Sequence, residues 1–321
     1  MYQRIKIKIA TESNDCSTNK VIDWLVVLKN HFIRKNVDLD FNDFNILIDN
    51  EINQTSIKDY VIWNRRGYLP IIPFELKRTL WIDYLKKEQL PVLELFELLN
   101  SKNYIGSYFK ELSNNKIINL NFAKQVGFVV PETIITNNKK DLLYFLKENK
   151  KYITKSLVHP PSLETEDSYY SGSGTTFFDI DLVYDFFAPS LVQEYIEKEI
   201  EIRVFFIENR YYTMAIFSQN DEQTKTDFRN YNKARPNRNV PFILPNEIIK
   251  KIKLFVKKIK CNTGSIDLIL TPDGEYVFLE INPMGQYDWV SVNCNYYIDK
   301  HIAEILIKKS YGKRNKKVTS S

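Results

Sequence analysis

Histidine is scarce: His31, His159 and His301 are the whole supply in 321 residues. A Ser/His/Asp triad or a multi-histidine metal site would have to gather nearly all of them, so chemistry here must use carboxylates, amides, lysine and arginine. Cysteine is equally thin. Cys16, Cys261 and Cys294 stand far apart without a Cys-x-x-Cys spacing, which excludes a zinc ribbon, argues against a disulfide framework and fits a reducing cytoplasm. No apolar run approaches ~18 residues, and Ile5-Lys6-Ile7-Lys8-Ile9 alternates where a signal peptide would be apolar, so a soluble protein without a membrane partner is expected. Only 9 Gly and 12 Pro exclude a collagen or linker chain, while 44% hydrophobic and 14% aromatic residues fit a globular fold. An excess of one charge is lacking too. The net charge is +5, but Lys308, Lys309, Lys313, Arg314, Lys316 and Lys317 contribute six positive charges with no acid from Ile307 to Ser321, leaving the rest at −1. A basic groove interleaved with aromatics is missing from that body, so no nucleic-acid partner is expected.

Length suggests about two modules at ~150 residues per domain. A strand at Ile5-Ala10, a helix capped at Ser17-Thr18 and carrying Val21, Ile22 and Leu25, and apolar runs at Phe44-Ile48 and Val61-Trp63 predict a small open α/β unit. Phe74 to Phe109 reads as connecting helix. A second unit opens with a helix from Ser113-Lys116 to Gly127, then an extended exit after Pro131 into Thr133-Thr136, a helix Lys139-Asn149 and a strand Tyr152-Ser156. The polar stretch to Ser171-Gly174 is a loop candidate. Strands at Ser190-Tyr195, Ile200-Ile207 and Tyr211-Phe217 follow, the last two as a hairpin; then a helix Pro245-Lys258, strands Gly264-Leu270 and Tyr276-Asn282 across the turn Pro272-Gly274, and a final helix Ile298-Lys309.

The last hairpin carries the most chemistry. Alternation on a strand points Glu280 and Asn282 to one side, and the neighbouring strand can bring Asp267 beside them. Two carboxylates and an amide oxygen suit Mg²⁺, a hard cation that takes further ligands from phosphates; the other reading is the polar face of a surface hairpin. Their apolar flanks, Ile266, Leu268, Val277 and Phe278, favour the metal, because acids among them need a partner. Upstream, Gln193-Glu194-Tyr195-Ile196 ends a strand whose backbone groups can meet an adenine edge, and a following acid can take a ribose hydroxyl. Arg203 shares a face with Glu201, either as a phosphate ligand or as an ordinary surface ion pair.

The ordered set Asn115-Lys116, Thr154-Lys155, Gln193-Glu194-Tyr195-Ile196, Glu201-Ile202-Arg203, Asp267 and Glu280-Ile281-Asn282 resembles the ATP-grasp ligases over residues 110 to 310. More narrowly, Asp15-Cys16-Ser17-Thr18 before Val21-Leu25, Trp63-Asn64-Arg65-Arg66, Ala123-Phe128 before Pro131, and Asp227-Phe228-Arg229 resemble the peptide maturases that make graspetides, microviridin-type ω-ester and ω-amide peptides, in the grasp-with-spasm branch. The resemblance implies an ATP-grasp fold with an N-terminal open α/β (pre-ATP-grasp) domain at 1–110, a central αβ lobe at 111–190, a C-terminal antiparallel-sheet lobe at 191–310 and a basic tail at 311–321. It implies ATP and Mg²⁺ as cofactors, with Lys116 and Lys155 on phosphates, Gln193, Glu194, Tyr195 and Ile196 on adenine, and Glu201 on ribose. Asp267, Glu280 and Asn282 then fall to Mg²⁺, and Arg203 and Arg229 to the transferred phosphate. The partner it implies is a precursor peptide with a leader and a core rich in Thr/Ser and Asp/Glu; a SPASM-domain companion and a homodimer are further expectations. Asn64 stands where the family's motif has an aromatic, which leaves Arg65 and Arg66 without an assigned role. Rival readings are another ATP-grasp carboxylate-amine ligase and a non-catalytic protein that binds ATP and a peptide.

Overall fold

The computed structural model describes residues 6–36, 46–48, 52–54, 60–66, 80–99, 101–158, 163–164, 169–170, 174–221, 223–225, 227–228, 232 and 234–311. Strand β1 (Lys6–Thr11) alternates as expected, burying Ile7, Ile9 and Thr11. Helix α1 (Cys16–Val27) starts earlier than predicted, because Asp15 rather than Ser17-Thr18 is its cap: the Asp15 carboxylate accepts from Ser17 N at 3.1 Å. Strand β2 (Phe32–Asn36), the antiparallel pair β3 (Ile46–Ile48) and β4 (Ile52–Gln54), strand β5 (Tyr60–Asn64), helix α2 (Leu80–Leu99) and strand β6 (Tyr104–Ile105) complete the first unit. Its main sheet runs β2-β1-β5-β6, all parallel, which is the open α/β arrangement read from the sequence. The expected continuous helix to Phe109 is broken by β6, and a separate helix α3 (Tyr108–Leu112) follows. Glu97 of α2 causes this turn by accepting from Tyr108 N (2.8 Å) and Phe109 N (3.3 Å), satisfying the first donors of α3.

Helix α4 (Lys116–Gln125) is capped by Asn115, which accepts from Ile117 N and Ile118 N, and it stops at Gly127, whose φ is +91°. Strand β7 (Thr133–Asn138), helix α5 (Lys139–Phe145), strand β8 (Tyr152–Lys155), the short antiparallel pair β9 (Leu163–Glu164) and β10 (Tyr169–Tyr170), strand β11 (Thr175–Phe177) and strand β12 (Phe186–Glu194) form the next unit. Its sheet runs β11-β8-β12-β7 and is antiparallel, packing Tyr152 and Val192 against Leu142 of α5. α5 ends four residues short of Asn149 because Lys147 N donates to the Tyr152 hydroxyl at 3.0 Å instead of continuing the helix. β12 begins four residues before Ser190; Pro189, which lacks a donor, sits in the register shift between Phe186 and Ser190.

The third unit contains β13 (Ile200–Ile207), β14 (Arg210–Phe217), β15 (Arg238–Pro241), α6 (Asn246–Ile259), β16 (Thr263–Leu270), β17 (Tyr276–Asn282), α7 (Asp288–Cys294) and α8 (Ile298–Ser310). The sheet runs β15-β14-β13-β16-β17, antiparallel throughout, with β13 and β14 joined by the expected tight hairpin. β13 is buried along its whole length. Its even-numbered side chains Ile202, Val204 and Phe206 pack with Leu120 and Ala123 of α4 and with Ile248, Ile252 and Phe255 of α6. Phe205 and Ile207 face the other way, into a core shared with α7, α8 and the N-terminal residues Ile7, Ile9 and Trp63. Two polar links span that junction: Trp24 Nε1 donates to Asp299 Oδ2 and Lys20 Nζ to Asp288 Oδ1, each at 2.6 Å. At the chain's basic end, Lys309 is tied to Glu208 at 2.9 Å; residues 312–321 lie outside the described residues.

Candidate active cleft

The odd-numbered face of β13 changes character along its length: Phe205 and Ile207 end in the core, Glu201 lines a cleft, and Arg203 stands between them without lining that cleft itself. Strand register sets the rest. Arg203 is the direct partner of Asp267 on β16, and Asp267 is the direct partner of Glu280 on β17, so three charged side chains stand in one row across three strands. A bulge makes this row possible. Leu268 pairs with Phe278 and Asp267 with Glu280, so Leu279 is an extra residue that reverses the alternation of β17. Phe278 can therefore enter the α6 core while Glu280, two residues on, faces the cleft. Asn282 follows on β17, opposite Ser265.

The cleft, a cavity of about 70 Å³ open to solvent, lies between Asp267 and Glu280 of this row and the β8–β12 sheet. Eight of the predicted residues line it: Lys155, Gln193, Glu194, Tyr195, Ile196, Glu201, Asp267 and Glu280. Lys116 and Asn282 flank it, Lys116 Nζ lying 3.8 Å from Glu280 Oε2 and donating to the Ser156 carbonyl at 3.0 Å. Arg229 falls outside the described residues, as do positions 171–173 of the predicted glycine loop.

Several roles differ from expectation. Arg203 does not pair with Glu201; its Nε sits 2.9 Å from Asp267 Oδ1 without an aligned N–H, and its guanidinium lies over Phe228 (5.6 Å) and Trp289 (5.5 Å), two rings themselves stacked at 5.8 Å. Such contacts fix the plane of a buried guanidinium. Glu201 instead accepts from Lys198 Nζ and Ser218 Oγ, both at 2.7 Å and both on Oε1. Burial pushes its carboxyl above the usual range; Lys198 and Ser218 oppose the rise, and nearby Asp227 adds to it. The N–H groups of Glu194 and Tyr195 donate to Glu132 O and Lys151 O, each at 2.9 Å, and the Glu194 side chain takes Lys150, so neither residue offers its amide to the cleft. Gln193 does offer a group. It is fully buried, its Nε2 donates to Thr133 Oγ1 at 2.7 Å, and its Oε1 has no hydrogen-bond partner among the described residues. An orphaned buried acceptor on a cleft wall is costly unless a ligand supplies a donor.

Sequence reasoning missed Lys198, Asp227, Phe228 and Trp289 as site residues. Lys198 had a usable signal, since a carboxylate forecast on a buried strand needs a cation nearby; Trp289 had none, because α7 itself was not foreseen. The donor set as built, two carboxylates and an amide on one hairpin face with lysine and arginine beside them, fits a magnesium ion shared with phosphates. Among the described residues no three His, Cys, Asp or Glu side chains gather into a metal centre, so an all-protein cage of that kind is not present there.

No family model matches the chain. An uncharacterized protein of Methanocaldococcus jannaschii is 27% identical over 240 residues, 69% of this chain and 55% of its own length, so the chain spans about half the length of the curated relative it matches. Among solved structures, a RiPP-associated ATP-grasp ligase of Chryseobacterium gregarium, in complex with ADP and a leader and core peptide, is 23% identical at a TM-score of 0.78, covering 95% of this chain and 97% of that one. The macrocyclase MdnC of Microcystis aeruginosa, bound with precursor peptide MdnA, is 24% identical at a TM-score of 0.73, covering 94% and 99%. The ATP-grasp ligase PsnB, complexed with a phosphomimetic variant of its minimal precursor, Mg and ADP, is 16% identical at a TM-score of 0.69, covering 94% and 98%. Over nearly its whole length the chain therefore has the fold of the ATP-grasp ligases. Among its described residues no helix is long and apolar enough to cross a membrane.

Proposed function

We propose that this chain is an ATP-dependent, Mg²⁺-requiring ligase that closes macrocycles in a ribosomally made precursor peptide. The observation that carries the reading is the pair Asp267 and Glu280, in register with Arg203 behind them, facing Lys155 and Gln193 across one cleft. In this reading Gln193 Oε1 accepts from the adenine amino group, the segment through Ile196 borders the base, and Glu201 keeps Oε2 for a ribose hydroxyl. Lys116 and Lys155 hold phosphate oxygens, while Asp267, Glu280 and Asn282 are the magnesium ligands. Bound there, magnesium neutralises charge on the phosphates. Arg203, with its plane held by Phe228 and Trp289, donates to the phosphoryl group in transfer, and Arg229 shares that task.

The chemistry balances without histidine. An Asp or Glu side-chain oxygen of the peptide attacks the γ-phosphorus, the bond to the bridging oxygen breaks, and ADP leaves. A Thr or Ser hydroxyl, or a Lys amine, then attacks the acyl carbon and phosphate departs, so each ester or amide removes one water from the peptide. The structural likeness to peptide-bound ligases supports a peptide substrate over a free amino acid. The division into units belongs to the same proposal: an N-terminal α/β unit to about residue 110, a central lobe, and a C-terminal lobe. The hinge between the lobes is best put after Glu194, where β12 ends, and not at 190. A SPASM-domain companion, a homodimer and a cytoplasmic setting are proposed with it.

The test is to incubate the protein with ATP, Mg²⁺ and the Thr- and Glu- or Asp-rich peptide expected beside its gene, and to weigh the peptide. Each closure should remove about 18 Da, as phosphoryl activation makes it a net dehydration. An unchanged peptide mass, with ATP consumed only on free amino acids, would transfer the chain to the other carboxylate-amine ligases; no ATP consumption would leave a binding protein.

A further inference from the structure

The Trp63-Asn64-Arg65-Arg66 motif has no part in the cleft, yet Arg65 is one of the most buried charges in the chain, with 5% of its surface exposed. Burying a guanidinium is expensive unless it is paired, and its Nε has no aligned acceptor, lying 3.8 Å from Asp15 Oδ2. Its shortest contact is instead to backbone: Nη1 donates to the Met284 carbonyl at 2.7 Å. From the opposite side Glu111 Oε2 accepts from Met284 N at 3.0 Å. One residue thus has both its peptide groups gripped by opposite charges from two other elements, β5's end and α3.

Met284 lies in the turn that ends β17. Gly285 N donates to Asn282 O at 3.0 Å, with Pro283 and Met284 between them. The turn is pressed onto β16 so tightly that a Cβ on Gly285 would stand 2.1 Å from Ser265 Oγ and 2.4 Å from Ser265 N. Asn114 Nδ2 holds the preceding carbonyl, Ile281 O, at 2.9 Å. These supports all act on the backbone around Asn282, which follows Glu280 by two residues on β17 and so shares its strand face.

We propose that Arg65 and Glu111 are positioning residues which, through the backbone of Met284, hold the Asn282 amide where a divalent cation bound with ATP requires it. This rests on the proposed function above. Contacts that orient a metal ligand alter metal affinity by about 10- to 100-fold, whereas contacts that only join two units alter stability. The full chain should be titrated with Mn²⁺, followed by electron paramagnetic resonance, in the presence of a non-hydrolysable ATP analogue, and the analogue's affinity measured separately in EDTA. Glu111→Ala should weaken Mn²⁺ binding about tenfold or more, leave the metal-free analogue affinity unchanged, and be largely restored by Glu111→Gln, which keeps an acceptor. Arg65→Lys, which keeps the charge but loses the fork, should weaken Mn²⁺ in the same sense. Mn²⁺ binding as tight as wild type in Glu111→Ala, or a Glu111→Gln chain as weak as Glu111→Ala, would overturn the inference while the proposed function stands. A wild-type chain that binds neither analogue nor Mn²⁺ would overturn both.

Discussion

Replacing Lys198 with methionine removes the ammonium 2.7 Å from Glu201 Oε1 and leaves an unbranched apolar chain in its place. Glu201, 7% exposed, then keeps among the described residues only the Ser218 hydroxyl at 2.7 Å, with Asp227 nearby adding repulsion. Removing one partner of a buried pair costs roughly 3–5 kcal/mol, and the low exposure of both side chains puts this pair in that class rather than among surface pairs. The loss must depend on pH. The carboxyl already titrates above its ordinary range because of burial, so the folded state holds the proton more tightly than the unfolded chain does. That contribution is present in full below the unfolded value near ~4.3 and disappears as pH rises through the folded value, which the substitution moves higher still. The difference between wild type and Lys198→Met should accordingly be small near pH ~4 and widen to several kcal/mol by pH ~8. Urea midpoints measured across that interval read it directly. A gap of equal size at both ends, or a Lys198→Met/Glu201→Gln chain no more stable at high pH than Lys198→Met, would refute the reasoning.

Gly285→Ala forces a Cβ to within 2.4 Å of a backbone nitrogen of β16, so overpacking of ~3 kcal/mol is expected as a lowered melting temperature. Ser265→Gly in the same chain should recover only part, since Ser265 N remains in the way. Trp289→Leu removes one of the two rings beside the Arg203 guanidinium; at about 1.4 kcal/mol this is a tenfold slower single-turnover cyclisation of the precursor peptide, with ATP affinity unaltered. A single-turnover rate equal to wild type would remove Trp289 from the site.

Regular elements were legible where local signals agree with tertiary need. The β13–β14 hairpin, α6, β16 and β17 all stand within about two residues of the positions read from alternation, caps and the Pro272-Gly274 turn. The failures share one cause, a partner distant in sequence. α2 could not be ended correctly because the break depends on Glu97 reaching the first amides of α3. Ser17 and Thr18 have the same capping propensity as Asp15, and the choice between them is made by Thr11 and Arg65, whose groups converge on the Asp15 carboxylate. Burial opposes its ionisation, yet Ser17, Arg65, Thr18 and Thr11 together hold it below the usual carboxylate range. At the cleft, strict alternation groups Glu280 and Asn282 with Phe278 on one face, whereas Phe278 packs in the α6 core and Glu280 lines the cleft. Only the bulge at Leu279 separates the core residue from the site residue, and a bulge leaves no mark in an apolar run such as Val277-Phe278-Leu279.

That bulge also explains how the cleft tolerates its charges before any ligand enters. Arg203 faces Asp267 at 2.9 Å, Lys116 faces Glu280 at 3.8 Å, and Lys198 faces Glu201 at 2.7 Å, so each of these cations has one acid beside it. Without the extra residue Glu280 would turn towards Phe255 and Ile252, where a carboxylate has no partner, and Lys116 would lose its acid. The contacts are graded. Lys198–Glu201 is tight and almost wholly buried, which suits a pair that stays closed. Lys116–Glu280 is long at 3.8 Å, whereas Arg203–Asp267 is close at 2.9 Å and largely buried, so ligand contacts must replace what either pair loses on parting. Parting them is what the proposed reaction requires. In that proposal Asp267 and Glu280 would turn to a cation, and Arg203 and Lys116 to phosphate oxygens. The charge balance of the cleft in this structure and the charge separation that would bind a metal nucleotide thus use the same four side chains.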